Sequence, residues 1–410
     1  MGTPVTAVQR LVAGAIALTF VACAGSAPAP ATPQPPAKSA ATAPASGSGA
    51  AAPVASPTGR SQAPVASSSP TAAAAAQPAA PAAPAAPAAP PKDLRKTSFV
   101  IGNLSFYAVP VVLAKEKGYF RDEGMDLEIT ATGSGSRATA ALAGGSADFG
   151  SMEFSDMLAA VAQRQPLLGF AAFVTEPTVS IAMKQSVARE RKLTEQTSLG
   201  EKIKAFRGLK IAITTPGSGT DAALRWLLLN AGLDPERDVQ IVPAGSAANS
   251  LAAFSQGQVE ILTQTSPWVE TAVAKHDGFM IVSFPRGDVP EQKGRLSFSL
   301  VGRKENMDRN PEVMTSATRA LWRALRFINE QSDEAKKLAK DLLFREIEPD
   351  VYDLAWRLNA PSYPKDPRMS ERHVQLNVDF KGRVTGEKLN IPFDQAATNR
   401  FVHEAAKTLR

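Results

Sequence analysis

The chain has 410 residues, with 45 Lys and Arg against 39 Asp and Glu, a net charge of +6 and a single cysteine. The 318 residues after Lys92 carry every acidic group and 41 of the basic ones, so their own balance is +2, which gives no case for a nucleic-acid surface. One cysteine excludes an internal disulfide and a cysteine-built metal cluster.

Residues 1–22 read as a signal peptide: Arg10 precedes an apolar run over 11–22 that is too short to span a bilayer but suits the core of an export signal. The run ends in Leu18-Thr19-Phe20-Val21-Ala22-Cys23, which resembles the lipobox of bacterial lipoproteins except that Phe20 stands where Leu is usual. That resemblance implies acylation of Cys23 and a membrane anchor. The competing readings are a plain secretory signal in which Cys23 is incidental, and myristoylation of Gly2, which the export signal behind it opposes. Residues 23–92 are dominated by Ala, Pro, Ser and Gly; they offer too little apolar surface to offset the entropy of ordering, and as a flexible coil they would reach on the order of 50 Å.

From residue 93 the pattern is α/β. Short apolar runs over 97–102 and 126–130 predict strands, separated by a helix over 108–117 that Gly118 closes. A Gly-Ser turn over 133–136, a helix to Leu142 and a run at 147–150 complete the first unit. A second unit repeats the plan: strand 209–214, turn 216–220, helix 221–231, strand 239–242, turn Gly245-Ser246, a helix to about 256, and strands 259–262 and 280–283. In both units the third strand carries an acid, Asp148 or Glu260. Alternation of this kind builds mainly parallel sheets with helices on both faces. After a strand over 296–301, helical spacing at 314–329, 332–343, 351–358 and 395–409 predicts a helical C-terminal part packed on the first lobe. The expected division is lobe one over 93–183, a charged crossing segment over 184–205, lobe two over 206–284, and a return to lobe one over 285–410, with the two crossings forming a hinge.

Three blocks carry a family resemblance: Leu113-Ala114-Lys115-Glu116-Lys117-Gly118-Tyr119-Phe120-Arg121-Asp122-Glu123-Gly124-Met125-Asp126-Leu127-Glu128, then Ala141-Leu142-Ala143-Gly144-Gly145-Ser146-Ala147-Asp148-Phe149-Gly150, then Phe206-Arg207-Gly208-Leu209-Lys210-Ile211-Ala212-Ile213. Together they resemble the substrate-binding proteins of ABC importers for nitrate, alkanesulfonates, taurine and thiamine-pyrimidine precursors. The resemblance spans roughly 98–343. It implies a two-lobed periplasmic-binding-protein-like fold that closes on a solute and delivers it to an ABC permease in the inner membrane.

Ligands of open α/β sheets lie beyond the carboxyl ends of strands, beside helix N-termini. The turns there nominate Ser105, Tyr107, Ser134, Gly135, Ser136, Ser151, Gly217, Ser218, Gly219 and Thr220, with Ser246 and Thr265 in second rank. Trp268 and Tyr107 are stacking candidates. Arg137 suits an anion, whereas Glu153 and Asp156 suit a cationic or hydrogen-bond-donating group, so ligand charge stays open. Each small polar residue is equally an ordinary N-cap.

His276, His373 and His403 are scattered, and no P-loop lysine follows the Gly-Ser turns, so neither a metal site, a cofactor site nor a catalytic centre is expected. Thiamine-pyrimidine synthases share the implied fold, but their Cys- and His-rich features are missing from the sequence. The expected protein is therefore a monomer that binds a small solute outside the cytoplasm, in the periplasm or at the cell surface. The other reading is an envelope domain that senses a ligand or docks a partner without transport.

Overall fold

The computed structural model describes residues 93–409. The expected signal peptide, Cys23 and the tract to residue 92 lie outside the described residues.

Ten strands form two sheets: β1 (Arg95–Ile101), β2 (Met125–Ala131), β3 (Phe149–Glu153), β4 (Leu167–Val174), β5 (Val179–Lys184), β6 (Lys210–Ile213), β7 (Gln240–Pro243), β8 (Ile261–Thr265), β9 (Gly278–Ser283) and β10 (Phe298–Arg303). Their orders are β2-β1-β3-β10-β4 and β7-β6-β8-β5-β9. Each sheet has one antiparallel member, and it is the strand that crosses between lobes: β10 opposes β3 and β4, while β5 opposes β8 and β9. The remaining pairs are parallel, as β-α-β connections require.

Parallel strands covered on both faces read as apolar runs. Along β1, Phe99 and Ile101 enter a core with Leu113, Phe120 and Leu321, while Val100 enters another with Leu142, Met152 and Leu158. In the second sheet Ile211 and Ile213 face Leu224 and Leu228, and Ala212 faces Phe254 and Val269. Helices therefore cover both faces of both sheets.

The repeat legible in the sequence extends to individual hydrogen bonds. Asp148 accepts from the Ser98 amide at 2.8 Å, and Glu260 accepts from the Lys210 amide at 2.8 Å; both pairs are 50 residues apart. The Gly133 amide donates to the Gly102 carbonyl at 2.7 Å, and the Gly245 amide to the Thr214 carbonyl at 2.7 Å. These turns need left-handed glycines, with φ of 88° at Gly133 and 83° at Gly245. Ser134 and Ser246 then cap the helices that follow, accepting from Arg137 and Asn249.

The lobe boundary differs from expectation. The chain leaves the first sheet after Val174 and enters the second at Val179, so 184–205 is no crossing segment but part of lobe two. Most of its charges face outward on or between two short helices, Gln185–Glu190 and Leu199–Lys204; Lys202 is buried and donates to the Glu195 carbonyl, while Ala188, Ile203 and Phe206 are buried in the lobe-two core. The return crossing joins β9 to β10 and runs beside the first. The Gly294 amide donates to Glu176 at 2.8 Å and the Ser297 amide to the Val174 carbonyl at 2.8 Å.

The C-terminal helices pack on lobe one and also brace lobe two. The helix Pro311–Glu330 covers the first sheet together with Val109–Glu116 and Arg400–Thr408. The helix Glu371–Thr385, which the sequence reading did not anticipate, touches both Phe154–Ala162 and Gly219–Asn230. Phe380 stacks with Trp226, and Arg383 donates to the Leu229 carbonyl at 2.7 Å. The helix expected over 395–409 is broken into Phe393–Ala396 and Arg400–Thr408. Ala397 turns extended between them to bridge Gly169.

Candidate functional site

The carboxyl ends of the two sheets face each other and enclose a cavity of about 40 Å³. Its wall takes Gly102, Asn103, Tyr107, Gly135, Ser151, Glu153 and Asp156 from lobe one and Thr214, Ser218, Gly219, Thr220, Gln264 and Thr265 from lobe two. Thr178, Val179, Arg295, Ser297 and Phe298, on or beside the crossings, complete it. A cavity of that size has room for a few water-sized spheres.

Glu153, at the end of β3, is held by three donors: Arg295 Nη1 at 2.8 Å, Ser297 Oγ at 2.9 Å and Ser155 Oγ at 3.3 Å. Both side chains of the Glu153–Arg295 pair are buried, 7% and 3% exposed. Arg295 also donates to Asn377 Oδ1 at 3.0 Å and lies over the Phe380 ring at 4.1 Å, so the helix Glu371–Thr385 sets its position. Arg295 Nε has no partner.

Asp156 sits one turn further, in the first turn of the helix Phe154–Ala162. Neither of its carboxylate oxygens has a hydrogen-bond partner, and Lys381 Nζ approaches to 3.7 Å. Burial pushes the Asp156 carboxyl up to about 7, with Lys381 opposing and Glu153 reinforcing the rise. Beyond Asp156 the wall opens on a wider hollow lined by Ser136, Thr139, Gln163, Gly217 and Lys381.

Tyr107 stacks on Phe298 with ring centroids 3.9 Å apart, and its hydroxyl accepts from the Asn103 amide at 2.7 Å. Burial pushes its phenol above the usual range. Across the cavity Thr214, Ser218 and Thr220 form a closed triangle of hydroxyls at 2.8, 2.9 and 3.0 Å. Ser151 Oγ is buried and unpartnered.

Of the residues nominated from sequence, Tyr107, Gly135, Ser151, Glu153, Asp156, Ser218, Gly219, Thr220 and Thr265 line the cavity. The others do not. Ser105 is buried against Thr265, from which it accepts at 3.3 Å, and Ser136 meets Thr215 at 2.7 Å; both are contacts between lobes. Ser134 and Ser246 are N-caps whose hydroxyls are spent on their own helices. Gly217 donates its amide to Asp221 at 2.8 Å and faces the outer hollow. Trp268 follows a turn through Pro267 and lies in a separate groove with Leu104, Leu342 and Phe344. Sequence reasoning missed Arg295, a lone cation before an apolar strand, and Asn377 and Lys381, on a helix it did not foresee.

Residues 94–343 match the model of the NMT1-like family. The chain belongs to the NMT1-like family. NMT1-like relatives include YtlA of Bacillus subtilis, 22% identical over 307 residues covering 73% of this chain and 86% of YtlA. The bicarbonate-binding protein CmpA of Synechococcus elongatus is 24% identical over 206 residues, 45% of this chain and 44% of CmpA. Among solved structures, the alkanesulfonate-binding protein SsuA of Xanthomonas axonopodis pv. citri, bound to MOPS, has a TM-score of 0.59 at 18% identity, covering 76% of this chain and 100% of SsuA. The two-lobed α/β fold of this NMT1-like chain is thus that of the periplasmic binding proteins. The desulfurization enzyme DSZB shares it at a TM-score of 0.54 and 13% identity, so the fold by itself does not separate binding from catalysis.

Among the described residues no group of three His, Cys, Asp or Glu side chains is spaced to hold a metal ion, and no helix is long and apolar enough to cross a membrane.

Proposed function

We propose that the protein is the solute-binding component of an ABC importer, which captures a small molecule by closing its lobes outside the cytoplasm and presents the closed form to a permease. The observation that carries this reading is the cavity itself. It is walled by both lobes, joined by paired crossings, and furnished with polar groups that lack partners, Ser151 Oγ and the Asp156 carboxyl among them. Buried polar groups without partners are costly, and a solute that satisfies them recovers that cost on binding.

In the same reading Cys23 is acylated, residues 23–92 tether the lobes to a membrane, and the protein works as a monomer.

A thermal-shift panel of small solutes tests the proposal. At a hundred times its dissociation constant a solute that binds the folded state stabilises it by about 2.7 kcal/mol. A shift that Ser151→Ala and Thr220→Ala weaken supports the reading. A broad panel with no shift turns it toward an envelope docking domain.

A further inference from the structure

Resting on the receptor reading above, we infer that the solute docks a nitrogen bearing N–H, an ammonium or amidinium group, on the Asp156 carboxylate, rather than presenting an oxyanion to the cavity. Three independent features of the wall carry this.

The first is valence. Both Asp156 oxygens are buried and unpartnered, on a side chain that lines the cavity, and a carboxylate can only accept. What is missing beside it is a donor. Lys381 at 3.7 Å lies beyond hydrogen-bonding distance.

The second is charge. Among the described lining residues the acids are Glu153 and Asp156 and the cation is Arg295, whose Nη1 is committed to Glu153 and Asn377. An oxyanion entering about 40 Å³ would meet two carboxyls and a cation of which Nε alone is free, whereas a nitrogen bearing N–H would give Asp156 the hydrogen bond that Lys381, paired with it at 3.7 Å, does not supply.

The third concerns the helix N-termini, which would otherwise attract an anion. Two of those that end at the cavity are supplied with carboxyls of the chain itself. Asp156 is in the first turn of Phe154–Ala162. Asp221 is in the first turn of Gly219–Asn230, where it accepts from the Gly217 amide and pairs with Arg225 at 2.7 Å. A carboxyl oxygen of Asp156 also lies 3.2 Å from where a side chain on Gly135 would begin, at the head of the third helix, Gly135–Ala143.

The test uses probes whose own charge is constant: acetamidine, cationic at pH 5.5 and 8.5, and methanesulfonate and nitrate, anionic at both. The charged groups acting on Asp156 are Lys381 on the C-terminal helix, Glu153 on β3, Arg295 on the return crossing and Asp221 on lobe two; with Asp156 titrating near 7, its ionised fraction rises roughly 30-fold between the two pH values. Thermal-shift titration of the full-length protein should give an acetamidine affinity about 30-fold tighter at pH 8.5 than at pH 5.5, with that dependence lost in Asp156→Asn. The pH comparison on the unsubstituted protein stands whatever the variant does to folding. Binding of methanesulfonate or nitrate that tightens toward pH 5.5, without acetamidine binding, overturns the inference and leaves the receptor reading standing. Binding of neither class at either pH overturns the inference, while the receptor reading falls only if the broad panel also gives no shift.

Discussion

Arg295 Nη1 donates to Glu153 Oε1 at 2.8 Å across the root of the cavity, tying the end of β3 to the segment that returns from lobe two. The two charges offset each other's burial, so removing one partner leaves the other stranded. Arg295→Met should cost about 3–5 kcal/mol of stability, and the double variant Glu153→Gln with Arg295→Met should recover most of it. Urea unfolding of the single and double variants measures both; equal losses in the two would show that the pair is not coupled.

Asp156 makes stability depend on pH in the opposite sense to an ordinary paired carboxylate. Its carboxyl is raised to about 7 in the folded chain from its ordinary value of 3.8. The unfolded chain therefore ionises first, and the contribution to stability that is full at acid pH is lost as pH rises toward 7. Relative to Asp156→Asn, the unliganded protein should match the variant near pH 4 and fall behind it by several degrees of melting temperature at pH 8. Paired melts across this range measure the effect, and a constant offset would contradict the assignment to Asp156.

Gly219 of lobe two packs close to Glu153: a Cβ there would lie 3.1 Å from Glu153 Cγ. Gly219→Ala asks the carboxylate to move by a few tenths of an ångström and should weaken solute binding modestly. Gly219→Leu wedges the lobes apart and should abolish binding while leaving urea stability nearly unchanged, because the side chain can point into the opened cleft. Calorimetric titration beside urea unfolding separates the two effects.

Much of the plan was legible because glycine and serine punctuate it. Gly118 closes the first helix, and Gly133-Ser134 and Gly245-Ser246 mark two equivalent strand ends with their caps. The strands β4 and β5 were not legible. Leu167–Val174 and Val179–Lys184 are nearly all buried on both faces, so they lack the alternation that announces a strand, and the first lobe crossing between them went unseen. Charge misled at 184–205, where outward-facing Lys and Arg mask the inward Ala188 and Ile203. At the site, turn chemistry located Ser151, Ser218 and Thr220, but it could not separate them from Ser134 and Ser246, whose hydroxyls serve helices of their own. Arg295 meets Glu153 across 142 residues of chain and Asn377 across 82, and local pattern does not reach that far.

Closure of the lobes on a solute can be followed by small-angle X-ray scattering once the panel has supplied a binder. Saturating solute should lower the radius of gyration of the protein, and Gly219→Leu should hold the larger value with or without it. A solute that binds with measurable heat while the radius of gyration stays the same would contradict closure as the mechanism.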